Sequence, residues 1–135
     1  MFGTPIFTGH DICGSEYVVT LCERNKRRDS PDAAWEFYLY DERSSARRAR
    51  ADTLRRGNTL KIDWLQTENT SGLGVGSILL HAILRESKER GVTSVHGWTS
   101  IIQSTPEKLV RLHDFYERFG AVFTYDDIGG HFFIH

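Results

Sequence analysis

The sequence predicts a mixed α/β (α+β) domain: one sheet, mostly antiparallel, with helices packed against it. Three observations carry that expectation. The first half of the 135-residue chain is built of short β-rich runs, several of them alternating apolar and polar residues, the period of half-buried strands. The second half holds two stretches with apolar residues at helical spacing, each followed by a β-rich run,. A glycine-rich turn joins a strand to the first of these helices. At 15.5 kDa the chain suffices for one core and is too short for two, so residues 1–135 are read as a single domain,.

Each element has its own signal. Pro5–Ile12 and Glu16–Cys22 are short and β-rich, with Cys13-Gly14-Ser15 as the turn between them,. Asn25–Pro31 is a polar loop. Ala34–Tyr40 puts Trp35, Phe37 and Leu39 on one face and Glu36, Tyr38 and Tyr40 on the other. Arg43–Arg56, rich in alanine and arginine, suits an exposed helix that stops at Gly57,. Leu60–Thr67 alternates Ile62, Trp64 and Gln66 with Lys61, Asp63 and Leu65, a strand. A strong helix follows from about Val75 to Arg90, with Ile78, Leu79, Ala82 and Ile83 on its buried side and Gly91 as its cap,. Val92–Thr99 reads as a strand. Ser104-Thr105-Pro106-Glu107 combines a hydroxyl cap, an early proline and a capping-box glutamate,. The helix it opens runs to Phe119, with Leu109, Leu112, Phe115, Tyr116 and Phe119 inward and Gly120 at its end. Ala121–Tyr125 and His131–Ile134 form a terminal hairpin around Asp127-Ile128-Gly129-Gly130,.

Composition narrows the function classes. No apolar run approaches the roughly 20 residues that span a bilayer, and Met1–Pro5 lacks the layout of a signal peptide,. The expectation is a soluble, cytoplasmic protein without a membrane partner. Cys13 and Cys22 make no C-x-x-C motif and no metal spacing, and the six histidines show none with cysteines or acids, so no metal is expected,. Net charge is −1, which gives no global pull toward nucleic acid,. The charge is uneven, however: Arg43–Lys61 holds seven basic residues against Asp52 alone. Such a run is either a solvated face or a patch for an acidic partner or phosphates.

The glycine turn has a physical meaning. Without Cβ atoms a backbone can approach a ligand closely, and the first amides of the helix are unpaired donors in a positive dipole field. Ser71-Gly72-Leu73-Gly74-Val75-Gly76-Ser77 lacks the lysine of a P-loop and sits mid-chain, unlike a dinucleotide-fold turn,. Together with the aliphatic Ile78-Leu79-Leu80, it resembles the acyl-CoA pyrophosphate loop of the GNAT acetyltransferase superfamily. His113-Asp114-Phe115-Tyr116-Glu117-Arg118-Phe119-Gly120-Ala121 resembles that superfamily's second signature, an aromatic–tyrosine pair before a glycine. The resemblance covers Leu60 to the C-terminus. The front half matches only in being antiparallel and of similar length. The superfamily usually has two helices between its first strands and no such pair is evident here, so an abbreviated N-terminal half is expected. Ser71 stands where the pattern has Arg or Gln, and Leu109 where an asparagine often lines the pantetheine channel.

The resemblance implies acetyl-CoA as cosubstrate and an amine acceptor that attacks the thioester directly. It places the pyrophosphate on the backbone of Ser71, Gly72, Leu73, Gly74, Val75, Gly76 and Ser77. It also implies that the strand before the loop splays from its neighbour and pairs with pantetheine through Leu65, Gln66 and Thr67. Tyr116 takes the role of acid for the leaving thiolate. The acceptor's proton needs a base, and Asp63 and Glu68 are the carboxylates nearest the expected centre; His96 could relay a proton near neutral pH. Trp35, Trp64 and Trp98 read as core residues, Trp98 also as a candidate for lining the acceptor site. Asp63, Asp126 and Asp127 would suit a cationic amine. The acceptor, small molecule or protein, is not legible. The competing expectation is a catalytically weak or inactive GNAT-fold module acting on a protein or nucleic-acid partner; an acetyltransferase held on nucleic acid by the basic stretch is a third. The resemblance also allows a homodimer through sheet edges.

Overall fold

The computed structural model describes residues 1–24, 32–67, 74–100, 106–127 and 129–135. Eight strands form one sheet in the order β1-β2-β3-β4-β5-β6-β8-β7. The strands are β1 (Thr4–His10), β2 (Glu16–Glu23), β3 (Asp32–Asp41), β4 (Arg47–Arg56), β5 (Thr59–Thr67), β6 (Ser94–Ser100), β7 (Val122–Asp126) and β8 (Gly129–Ile134), with helix α1 (Val75–Glu89) between β5 and β6 and α2 (Pro106–Glu117) between β6 and β7. Every neighbouring pair is antiparallel except β5 with β6, which the α1 crossover makes parallel,. β1 and β2 are joined by the tight turn Asp11–Ser15, where the Asp11 carboxylate accepts the amides of Cys13 and Ser15. No helix separates these strands. The Asn25–Pro31 loop and the Ser104–Thr105 cap fall outside the described residues.

Register assigns the sheet two different faces. Leu60 and Ile62 pair with Val95 and Gly97, which pair with Ile134 and Phe132. These residues share one side with Trp35, Phe37, Leu39, Ala49 and Ala51, and all but Gly97 belong to the single buried cluster. Val75, Leu79, Leu80, Ala82 and Ile83 of α1 and Tyr116 of α2 belong to the same cluster. Both helices therefore pack on one side. The other side carries Tyr38, Arg50, Trp64, His96, Trp98 and Phe133 and receives no described helix. No described helix is long and apolar enough to cross a membrane.

Three sequence expectations are corrected. Arg43–Arg56 is not an exposed helix: residues 47–56 form β4, paired on both sides. Alanine and arginine favour helix locally, but Ala49, Ala51 and Thr53 recur with period two and are buried. That small-residue stripe lets α1 lie close on the sheet, and tertiary packing overrides propensity. Second, β3 is buried on both faces rather than one. On its helix-free side Tyr38 donates to Glu36 at 2.6 Å, the Arg50 guanidinium lies over the Tyr38 ring, and Phe2 meets that ring edge-on. Third, of the tryptophans read as core only Trp35 is buried, whereas Trp64 is 51% and Trp98 41% exposed. The reason for Trp64 is a β-bulge: Asp52 pairs with Trp64 but Thr53 with Ile62, leaving Asp63 as the extra residue. The bulge turns Trp64 outward and Leu65 toward the core,.

Gly97 is a glycine for a packing reason. A Cβ built there would lie 2.4 Å from the Phe132 ring and 3.2 Å from the Ile62 carbonyl. Phe132, 1% exposed, folds across it. Gly97→Ala is therefore expected to lower stability by about 1–3 kcal/mol. In a denaturation double-mutant cycle, Phe132→Leu should cost less in that background than in the wild type; additive losses would refute the contact.

Candidate functional site

The local geometry of β5 and β6 creates an opening. The two strands pair at four positions only, from Thr59↔Ser94 to Ile62↔Gly97. β5 continues to Thr67 and β6 to Ser100, so they part beyond that point. Past the fork β5 still pairs with β4 through Ala49↔Thr67, and β6 with β8 through Ser100↔Gly129. The edges that face each other inside the fork thus carry backbone N–H and C=O groups unclaimed by the strand opposite. Leu65, Gln66 and Thr67 lie on the β5 arm, which splays from its neighbour as the resemblance implied.

Near the end of that arm stands the start of α1. Gly74, the N-cap, has φ +82, and nothing lies within 4 Å of where its Cβ would be. The helix begins its hydrogen bonding with the Ile78 amide on the Gly74 carbonyl at 3.2 Å. The amides of Val75, Gly76 and Ser77 are thus left without intrahelical acceptors. No side chain caps the helix, and its first turn holds no acidic residue. Donors and dipole at this end are compensated by no described side chain, which suits an anion,. Ser71, Gly72, Leu73 and Glu68 lie outside the described residues.

Gly76 serves a different purpose from Gly74. Its missing Cβ would lie 3.3 Å from the Phe115 ring and 3.5 Å from the Thr67 methyl. Phe115 thereby sets α2 against the α1 start, and Thr67 reaches the same glycine from the β5 arm. The next residue, Tyr116, is buried, meets Phe115 edge-on, and stacks on Phe132 with ring centroids 4.0 Å apart. Because Phe132 covers Gly97, the last β6 residue paired with β5, Tyr116 is one ring removed from the fork's closed end. Burial pushes its hydroxyl up to about 12,. The phenol is fully protonated at neutral pH.

The candidate bases lie on the helix-free side. Asp63 is the bulge residue at the fork, and its carboxylate is ion-paired with Lys61 at 3.3 Å. His96 is one paired position inside the fork, opposite Lys61, with its ring stacked on Phe133. Burial, then the nearby Lys61 charge, hold His96 below the ordinary histidine value despite Asp63. The imidazole is neutral at pH 7.

Other expectations meet mixed geometry. Within the basic stretch Arg50 is ion-paired with Asp52 at 3.0 Å and Glu36 at 3.6 Å, while Arg55 lies over Trp35 and donates to the Gly57 carbonyl. Part of that charge works inside the fold. The histidine spacing hid a cluster among the described residues: ligand atoms of His113, Asp114 and Glu117 on α2 lie within 4.8 Å of one another, with the His113 ring against Phe123. Sequence reasoning missed Gly97 and Phe132, although a glycine inside a β-rich run is a signal of close approach.

No protein-family model matches the chain, and no curated protein matches it in sequence. Solved structures do match in fold. A PaiA N-acetyltransferase from Thermoplasma acidophilum, in complex with coenzyme A, superposes with a TM-score of 0.60 at 12% identity over 73% of this chain and 58% of that one. A cAMP-binding acyltransferase from Mycobacterium smegmatis gives 0.68 at 14% identity, over 98% of this chain and 48% of that one. An acetyltransferase from Bacillus cereus gives 0.60 at 22%, over 81% and 76%. The chain thus spans about half the length of the first two.

The burial of Tyr116 yields a test. Spectrophotometric titration of wild type and Tyr116→Phe should count the same number of phenolates up to about pH 11. One fewer in the variant at pH 10 would contradict the buried placement. The sheet with its single parallel pair, the fork and the two helices on one face show that the chain has the fold of the GNAT N-acetyltransferases.

Proposed function

We propose that the fork and the α1 N-terminus bind acetyl-CoA and that the chain transfers its acetyl group to an amine. The observation that carries this is the parting of β5 and β6 after Ile62↔Gly97 beside an uncapped, acid-free helix start. The amides of Val75, Gly76 and Ser77 would receive the pyrophosphate together with the 71–73 turn, and the open edge of Leu65–Thr67 would pair with pantetheine. The likeness to N-acetyltransferases, one holding coenzyme A, supports the reading.

The chemistry follows from the two faces. The thioester enters from the helix side, where Tyr116 lies, and the acceptor from the helix-free side. A protonated amine gives its proton to the His96 imidazole; the freed lone pair attacks the thioester carbonyl carbon. The C–S bond breaks, the Tyr116 hydroxyl donates its proton to the departing sulfur, and the nitrogen's second proton, lost as the amide forms, passes through solvent to restore the phenol. We place the proton acceptor at His96 rather than Asp63, because the Asp63 carboxylate is exposed and held by Lys61. A second reading, a GNAT-fold module that does not catalyse, draws on Ser71 standing where the superfamily pattern has Arg or Gln.

Two measurements test this. Gly74→Glu fills the open space at the helix start with a like charge, and calorimetry should find acetyl-CoA binding lost; unchanged affinity puts the cradle elsewhere. Against a panel of amines, kcat/KM of the wild type should hold through the ordinary histidine value and fall only at lower pH, where His96, its pKa lowered by burial and Lys61, takes up a proton. His96→Gln should remove that limb, and Tyr116→Phe should cut turnover by about 10²- to 10⁴-fold with acetyl-CoA affinity kept. Binding without any turnover favours the second reading.

A further inference from the structure

The helix-free side of the fork carries a feature that acetyl transfer alone does not require. Trp64 and Trp98 stand on opposite arms, just beyond the last paired position, and both point to that side. Each is exposed by about half, an arrangement that costs apolar hydration in a face open to water. Trp64 is there only because the bulge at Asp63 shifts the alternation; without it the indole would follow Ile62 into the core. Each indole is also held from its outer side. Trp64 donates to the Gln66 side chain at 3.3 Å, and Trp98 packs on His131, whose ring is paired with Asp126 at 3.0 Å. Asp63, the bulge residue just before Trp64, carries a carboxylate on the same arm, ion-paired with Lys61 at 3.3 Å.

Two braced, half-exposed indoles on one face are chemistry that recognises an alkylammonium: the ring faces attract both the cation and the chain's methylenes. We propose that Trp64 and Trp98 form a platform that selects a primary ammonium on an unbranched alkyl chain as the acceptor. This rests on the acetyl-transfer reading and names its substrate class. A lysine side chain and a free diamine share that chemistry.

Tryptophan fluorescence tests it directly, since Trp35 is buried and only Trp64 and Trp98 face the solvent. A tripeptide with a central lysine, blocked at both ends, should shift or quench the emission of the wild type, whereas its norleucine counterpart, isosteric but neutral, should not. Free 1,4-diaminobutane in a parallel arm tells the two sources apart, and a response to either supports the platform. Trp64→Leu and Trp98→Leu should each weaken amine binding roughly 5- to 30-fold, with the effect on KM larger than on kcat and coenzyme A affinity kept. Equal responses to the lysine and norleucine peptides would overturn the cation selectivity. No response to any amine, in a protein that binds coenzyme A, would overturn the platform and leave the acetyl-transfer reading standing. A lysine response in a protein that does not bind coenzyme A would do the reverse.

Discussion

The Phe132 ring lying across Gly97 is the contact on which the rest depends. It occupies the one place in β6 where a side chain is absent, next to the last residue of β5 that β6 can reach. The ring closes the fork at its inner end and offers its outer surface to Tyr116, which stacks on it and anchors α2. Phe115, one residue earlier, then bears on Gly76, which Thr67 approaches from the β5 arm. Two glycines and three aromatic rings thus bring the β5 arm, the α1 start and α2 to one place. Any side chain at Gly97 would move the ring, and with it the helix that carries Tyr116.

The two faces of the sheet divide the work. Both helices and the buried tyrosine lie on one side, which makes that side dry and rigid,. Among the described residues the opposite side is walled by side chains alone. There β3 is sealed by Phe2, Arg50 and the Glu36–Tyr38 pair, while the fork end is left open under Trp64, Trp98 and His96. A reaction that joins a bulky thioester to an amine can use such a division, because each reactant reaches the fork without crossing the path of the other.

Much of the fold was legible because the decisive patterns are local. The spacing of Ile78, Leu79, Ala82 and Ile83 marked α1, and Gly91 its end; the glycine turn and the Phe115-Tyr116 pair pointed to the two segments that Phe115 joins. What was not legible depended on long-range register. The Ala49–Ala51–Thr53 stripe looks like helix until β3 and β5 claim its backbone. The bulge at Asp63 cannot be read from Leu60–Thr67 alone, since alternation there holds equally well with Trp64 inside. His113, Asp114 and Glu117 meet only because helical turns bring them to one side. Of the candidate site, Thr67, Gly76 and Tyr116 are gathered as a unit. Asp63 and His96 stand on the far face, an arrangement that only the sheet's register defines.

Amide hydrogen exchange with and without coenzyme A tests the central claim most directly, because it reads the backbone groups to which binding is assigned. The account predicts protection at Asp63–Thr67, on the open edge of β5, and at Val75–Ser77, with β1–β4 unchanged. Protection confined to other segments, with these amides exchanging as before, would contradict it.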